Sequence, residues 1–146
     1  MKISIVTPTF NELGNIEKIY VEIKEKFKEI NCDYEHLIID NNSTDGTIDK
    51  IKQLAKEDNN LKVIINAKNY GHIRSPFYGL LQTNSDATIL MASDFQDPID
   101  LIPKYIEEWK KGKKIVLGKK ISSKERIIKY FGRTLFYNFL NKISEF

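Results

Sequence analysis

Apolar residues follow two different spacings along this chain. Short continuous apolar runs predict buried strands, and apolar positions three and four residues apart predict helices that face a core. The runs lie at residues 3–6, 37–39, 61–65, 87–91 and 115–117, and helical patterns begin near residues 15, 48, 73 and 99. Strands that alternate with helices of this length indicate an α/β domain with a doubly wound, mostly parallel sheet.

Two prolines set expectations for element boundaries. Pro8 follows the first apolar run, and we expect the first strand to stop there. Pro76 lies inside the third helical pattern, which is tolerated if the residue occupies the first turn of the helix.

The composition is that of an ordinary globular protein. Of the 146 residues, 41% are hydrophobic and 29% charged, which fits one domain with a real core. No apolar run approaches the roughly 20 residues that span a bilayer, and no signal peptide precedes the first strand, so we expect a cytoplasmic protein. Cys32 is the only cysteine and the chain has two histidines, so any metal is held by oxygen ligands.

Positive charge is concentrated near the carboxyl end of the chain. Residues 119–146 carry seven Lys/Arg against two Glu, which leaves 16 basic and 18 acidic residues before them. Between residues 124 and 143, apolar positions are interleaved with basic ones, which predicts an amphipathic helix lying on an anionic membrane surface. Packing on its own domain or on a second subunit stays open as an alternative. We therefore divide the chain into a domain at 1–120 and a basic helical tail at 121–146, with homo-oligomerisation through the tail.

Acidic side chains collect in the loops that follow the predicted strands. These loops share one edge of a parallel sheet, which is where α/β proteins bind ligands. The carboxylates involved are Glu12, Asp40, Asp45, Asp94 and Asp97. Such an edge repels a phosphorylated ligand unless a cation lies between them, so the pattern indicates a crevice for a nucleotide and a metal. The chain has neither a P-loop nor a Gly-x-Gly-x-x-Gly fingerprint.

Four segments together resemble a known family. They are residues 4–12 (SIVTPTFNE), 38–47 (IIDNNSTDGT), 69–72 (NYGH) and 94–98 (DFQDP). In this order and near this spacing they resemble the motif series of family-2 glycosyltransferases, nearest to the polyprenyl-phosphate branch with its dolichyl-phosphate mannose synthase-like enzymes. The resemblance implies a GT-A fold, a divalent cation (Mg²⁺ or Mn²⁺) and inversion at the anomeric carbon.

The resemblance also implies roles for individual residues. The nucleotide-binding positions would be Pro8, Phe10, Asn11, Glu12, Asp40, Asn41, Ser93 and Asp94. Asp94 would be the catalytic residue and would hold the metal together with Gln96. Lys120 and Arg126 would meet the acceptor phosphate.

Two positions depart from the family's pattern. Ala92 stands where the first acid of an Asp-x-Asp motif is usual, and one carboxylate fewer weakens cation binding. Asn41 and Asn42 replace the second Asp and the Gly of Asp-Asp-Gly-Ser, which is a milder change because an amide both donates and accepts.

The implied function is transfer of a sugar from a nucleotide-diphospho-sugar to a polyprenyl phosphate, at the inner face of the plasma membrane. Family enzymes are longer and carry a further acceptor-side motif, so the chain resembles an N-terminal portion of one. A catalytically inactive nucleotide-sugar-binding fragment and a transferase with a saccharide acceptor stay open. A receiver-like signalling module with Asp40 as the phosphorylated acid lacks the acidic pair after its first strand. We expect no nucleic-acid partner.

Purely structural roles compete with these functional ones. Asp40 and Asp45, in a segment with Ser43 and Thr44, are typical of a helix cap. Asp97, which precedes Pro98, is typical of a helix start, and we favour that role over metal binding. His72 is expected to be a packed or capping residue. Lys68 and Arg74 are expected to be solvated rather than bound to a diphosphate.

Overall fold

The computed structural model describes residues 1–119 of the chain. Strands and helices alternate along it: β1 (Lys2–Thr9), α1 (Ile16–Ile30), β2 (Asp33–Asp40), α2 (Thr47–Glu57), β3 (Leu61–Ile65), α3 (Gly71–Leu81), β4 (Ala87–Leu90), a 3-10 turn (Ile99–Leu101) and α4 (Ile102–Lys110). The four strands form one parallel sheet in the order β3-β2-β1-β4. The predicted α/β architecture with a parallel sheet is confirmed.

A large core fills the sheet face that is covered by α1, α2, the 3-10 turn and α4. The apolar residues of α1 that recur at helical spacing are all buried, namely Ile16, Ile19, Tyr20, Ile23 and Phe27. They pack with strand residues such as Ile3, Ile5 and Ile38 and with Ile102 and Ile106 of α4. Burying side chains of this size is the dominant stabilising term in a domain this small.

The opposite face of the sheet carries a smaller core beneath α3. Val6, Leu37 and Ile39 are buried there and pack with Leu80 of α3. The helix lies very close to the strands at Gly79, where an added Cβ would be 2.8 Å from Cγ1 of Val6 and 3.2 Å from Cγ2 of Ile39. A glycine is therefore needed at this contact.

Strand β1 continues through Pro8 instead of stopping there. Val6 and Pro8 direct their backbone groups toward the β4 side, since Val6 O accepts the amide of Met91 and Pro8 O accepts the hydroxyl of Ser93. Strand β4 pairs with β1 only as far as Val6, so at Pro8 no ladder hydrogen bond is lost on that side. The expectation that Pro8 ends the strand was wrong because it ignored which neighbour the missing amide faces.

Helix α3 begins at Gly71, two residues before the predicted start, which places Pro76 inside the helix instead of in its first turn. Residues 115–117 form no strand, and the side chain of Ile115 is 78% exposed. Within the described residues, no strand of the sheet pairs with this run, so no ladder of hydrogen bonds holds it in a strand. The predicted tail at 121–146 lies outside the described residues. Within 1–119, no helix has both the length and the apolar character needed to cross a bilayer.

Candidate functional site

A cavity of about 620 Å³ lies over the carboxyl edge of the sheet. Its walls come from the ends of β1, β2 and β4 and from the first turns of α3: Pro8, Thr9, Phe10, Glu12, Asn41, Asn69, Gly71, His72, Ser75, Pro76, Leu90, Ala92, Ser93, Asp94 and Asp97. Its volume lies within the range of small-molecule sites, which is roughly 300 to 1,000 Å³. Position and volume both fit the ligand crevice that the acidic strand ends predicted.

The loop after β1 is joined to the loop after β2 by reciprocal hydrogen bonds. The amide of Asn11 donates to the hydroxyl of Ser43 over 2.8 Å, and the side-chain oxygen of Asn11 accepts the amide of Thr44 over 2.8 Å. The amide of Glu12 donates to Oγ1 of Thr47 over 3.0 Å. Asn11 adopts a left-handed backbone with φ 55°, which asparagine tolerates better than most residues. Asn11 therefore braces this wall from outside the cavity.

Asp40, at the end of β2, is fully buried and serves the same loop. Its two oxygens accept the amide of Ser43 over 2.8 Å and the hydroxyl of Ser43 over 2.5 Å. Asp45 accepts the amide and hydroxyl of Thr47, the first residue of α2, and also the amide of Leu13. The Thr47 hydroxyl bond is the main reason that the pKa of Asp45 lies below its usual value. Asp45 thus accepts the first amide of α2 from the position before the N-cap residue Gly46, while Asp40 holds its own loop.

Asn41 connects this wall to the segment that leads into α3. Its side-chain carbonyl accepts the backbone amide of Tyr70 over 2.9 Å and the side-chain amide of Asn66 over 3.2 Å. Its side-chain nitrogen donates to Oδ1 of Asn69 over 2.7 Å. Asn66 in turn donates to Ser75 over 2.9 Å. This series of amides fixes the start of α3 beside the cavity.

The acidic loop after β4 is closed by short local hydrogen bonds. Oδ1 of Asp94 accepts the amide of Gln96 over 3.1 Å, and Oδ2 of Asp97 accepts the amide of Ala92 over 3.2 Å. Ser93 ties the loop to β1 through its bond to Pro8 O at 3.1 Å. The 3-10 turn begins at Ile99 with no side-chain cap, so Asp97 closes the loop and does not cap a helix. Both carboxylates line the cavity.

The donor set of this loop decides how a divalent cation would be held. No group of three His, Cys, Asp or Glu side chains in residues 1–119 could bind a metal by itself. Mg²⁺ and similar hard cations are commonly held by one or two carboxylates together with substrate phosphates and water. Asp94 and Asp97 fit that mode, whereas the methyl group of Ala92 supplies no ligand. The residues present therefore fit a cation that arrives with a diphosphate.

The predicted site residues divide into two groups. Those that line the cavity are Pro8, Phe10, Glu12, Asn41, Ser93 and Asp94. Asn11 and Asp40 stand behind the wall, and Gln96 is exposed beside Asp94 without lining the cavity. Lys120 and Arg126 lie outside the described residues.

Several cavity residues were not predicted as site residues. Asn69 and His72 belong to the Asn-Tyr-Gly-His motif, so a signal for them was present, whereas Ser75, Pro76 and Leu90 carried none. His72 lines the cavity instead of packing in the core, and Lys68 and Arg74 are exposed, as expected.

Comparison with known proteins extends these observations. The chain is 37% identical over 146 residues to the bactoprenol glucosyl transferase of Shigella phage SfX, covering 99% of this chain and 48% of the relative. It is 33% identical over 118 residues to the dolichol-phosphate mannosyltransferase of Pyrococcus furiosus, covering 81% of this chain and 33% of the relative.

A solved structure matches the fold. The 1–349 fragment of S. aureus TarS in complex with UDP-GlcNAc superposes with a TM-score of 0.63 at 22% identity, over 86% of this chain and 39% of that one. At this identity the likeness establishes the fold alone, which is the predicted GT-A architecture.

These relatives are longer than the chain, which spans about half of the phage enzyme and about a third of the archaeal one. The profile of the family described as "Glycosyl transferase family 2" matches residues 4–146, nearly the whole sequence. The chain belongs to glycosyl transferase family 2.

Proposed function

We propose that the chain binds a nucleotide-diphospho-sugar in the cavity over the carboxyl edge and serves in transfer of the sugar to a polyprenyl phosphate. The observation that carries this proposal is the meeting of Pro8, Glu12, Asn41 and Asp94 around one cavity. These residues come from three of the four motif segments, and the three segments are far apart in sequence.

The nucleoside would lie against the wall formed by the ends of β1 and β2. Phe10 is 44% exposed at this wall and offers an aromatic surface for a base. Asn41 is almost fully buried, and its side-chain amide already makes hydrogen bonds to Asn69 and Tyr70. Its main role would therefore be to hold these two residues in place.

The diphosphate would lie at the loop after β4, where Asp94 and Asp97 are exposed. These two carboxylates would repel a diphosphate unless a divalent cation lay between the carboxylates and the phosphates. We propose that the cation is Mg²⁺ or Mn²⁺ and that Asp94 holds it. When bound, such a cation would neutralise charge on the leaving diphosphate. Gln96 would assist through its exposed amide, near the Asp94 carboxylate that accepts the Gln96 backbone N–H.

The acceptor class is supported by the names of the relatives, which include a bactoprenol glucosyl transferase and a dolichol-phosphate mannosyltransferase. A phosphate oxygen would attack the anomeric carbon while the bond to the diphosphate breaks on the opposite side, which inverts the configuration. An anionic phosphate needs no general base.

We also keep the division into a nucleotide-sugar-binding domain at 1–120 and a basic tail at 121–146 as a proposal. The tail would lie on the inner surface of the plasma membrane or join two copies of the chain. Lys120 and Arg126 would meet the acceptor phosphate. The charge of the sequence from 119 to 146, with seven basic residues and two acidic ones, supports this role.

Calorimetry tests the donor site. The purified chain is titrated with UDP-glucose and with GDP-mannose, with and without Mn²⁺. We expect one of the two donors to bind, more tightly when Mn²⁺ is present, and Asp94→Asn to remove that metal response. Asp49→Asn, at an exposed position of α2, is the matched control and should leave it unchanged. An equal metal response in the Asp94 variant would place the cation elsewhere.

A further inference from the structure

The outer face of α3 is an exposed apolar stripe. Ile73, Phe77 and Leu81 repeat every four residues along the helix and are 72%, 61% and 64% exposed. Residues at this spacing lie one above another on a single helix face. Tyr70 precedes the stripe and Tyr78 lies beside it, and both are also exposed. Within the described residues, no other helix presents three such side chains on one outer face.

The sequence segment that contains this stripe carries charge of one sign. No Asp or Glu occurs from Asn59 to Ser85, whereas the whole chain contains 20. The exposed cations nearest to the stripe in sequence are Lys68, whose ammonium lies 5.3 Å from the ring centre of Tyr70, and Arg74 in the helix itself. An apolar face with aromatic and basic flanks, in a segment that contains no acid, fits the interface of an anionic lipid bilayer.

The stripe and the cavity lie on different faces of the same helix. Gly71, His72, Ser75 and Pro76 line the cavity, and Gly79 contacts the sheet, whereas Ile73, Phe77 and Leu81 belong to neither contact. A membrane or protein that contacted the stripe would therefore be separated from the cavity only by the width of α3.

We propose that the α3 stripe (Ile73, Phe77 and Leu81) docks on an anionic membrane surface and so brings the cavity to the lipid interface. This proposal rests on the proposed function, because a polyprenyl phosphate presents its phosphate at that interface. The apolar side chains enter the interface, and Arg74 and Lys68 meet lipid phosphates.

A second copy of the chain fits this face less well. A symmetric contact would bring the same patch of each subunit together. It would bring two sets of Arg74 and Lys68 close to one another with no Asp or Glu from residues 59–85 to offset them. Lipid phosphates supply the missing negative charge.

A spin label on the stripe tests the docking directly. In the full chain carrying Cys32→Ser, a nitroxide is attached at Ile73→Cys, and the matched control is attached at Val21→Cys, an exposed apolar position on α1. With vesicles of phosphatidylglycerol and phosphatidylcholine, we expect the label at 73 to lose access to a water-soluble nickel chelate and gain access to oxygen. The label at 21 should stay in water. Binding through the tail alone would leave both labels in water and would overturn the proposal.

The same samples without vesicles test the alternative occupant. Protection of the label at 73 together with a doubled mass in light scattering would show a contact between copies, and it would also overturn the proposal. The combined variant Ile73→Ser, Phe77→Ser and Leu81→Ser should sediment with the vesicles at least about tenfold less. Its donor titration should match that of the unmodified chain. Loss of donor binding in the unmodified chain would instead count against the proposed function alone.

Discussion

The side-chain nitrogen of Asn41 donates a hydrogen bond to Oδ1 of Asn69 over a distance of 2.7 Å. This bond joins the end of β2 to the loop before α3, 28 residues later in the chain. It requires a donor at position 41, which the aspartate of the family's usual motif does not offer.

Asn41→Asp should therefore loosen this wall of the cavity. A carboxylate would still accept the amide of Tyr70, but from its nearly buried position it would face the side-chain oxygen of Asn69. We expect a loss of about 1 to 3 kcal/mol in the free energy of unfolding and weaker nucleotide binding. Urea unfolding and donor titration measure the two effects. Asn42→Asp, at the exposed neighbouring position, is the control and should change stability little.

Asp40→Ala separates a donor contact from a structural role. The sequence interpretation placed Asp40 in the nucleotide pocket, while its carboxylate is fully buried and accepts both donors of Ser43. Removing it leaves a buried amide and hydroxyl without partners, so we expect about 1 to 3 kcal/mol less stability. Ser43→Ala removes only the hydroxyl and should cost less. If Asp40→Ala kept its full thermal stability but lost nucleotide affinity, Asp40 would instead contact the nucleotide directly.

Gly79→Ala tests the close packing of α3 on the sheet. The new methyl group would lie 2.8 Å from Val6, so the helix must shift outward. We expect roughly 1 to 3 kcal/mol of destabilisation, although alanine favours a helix more than glycine does. Gly14→Ala is the control, since nothing lies within 4 Å of its Cβ position. Equal stability of the two variants in urea would show that α3 and the sheet accommodate the added methyl group without strain.

His36 should make the fold sensitive to mild acid. Burial lowers its pKa to about 3 from an ordinary value of 6.5. Its Nε2 lies 2.9 Å from the hydroxyl of Thr7, and its Nδ1 is buried with no hydrogen-bond partner in the described part of the chain. Below pH 6.5 the unfolded chain binds a proton that the folded chain excludes, so stability falls as the pH drops.

Urea unfolding at about pH 7 and about pH 5 measures this effect, with an expected slope of up to roughly 1.4 kcal/mol per pH unit. His36→Gln should flatten the slope, because glutamine does not titrate. His72→Gln, at the exposed histidine of the cavity, is the matched control. Both pH values lie above 4.5, which is the ordinary pKa of a glutamate such as the buried Glu35, so protonation of this residue should contribute little to the slope. Burial alone would raise that pKa, yet hydrogen bonds from Lys2, Ser4 and Lys62 lower it to about 2.

The elements of this fold follow from local pattern, and the site does not. The spacing of Ile16, Ile19 and Ile23 was enough to predict α1, and the apolar run at 61–65 has the bounds of β3. These patterns reflect a single requirement, that one side of each element avoids water. Pro8 shows where local pattern is not enough. Whether the strand could continue through this proline depended on where β4 stops pairing with β1.

The roles of individual loop residues depended on partners remote in sequence. Asn11 meets Ser43 and Thr44 more than 30 residues later, and no spacing in the sequence indicates these contacts. The motif segments therefore predicted which loops meet at the cavity, but not which side chains line it and which ones stand behind it.

The bonds between the loops after β1 and β2 also affect how a ligand would be received. Four hydrogen bonds fasten these loops to each other in the protein alone, through the amides of Asn11, Glu12 and Leu13 and the side chain of Asn11. The conformational entropy of this wall is therefore lost when the chain folds, and not when a ligand arrives. Preorganisation of this kind lets contact with a nucleoside appear as affinity without a further ordering cost. Backbone amide exchange in these loops should accordingly be nearly the same with and without the donor.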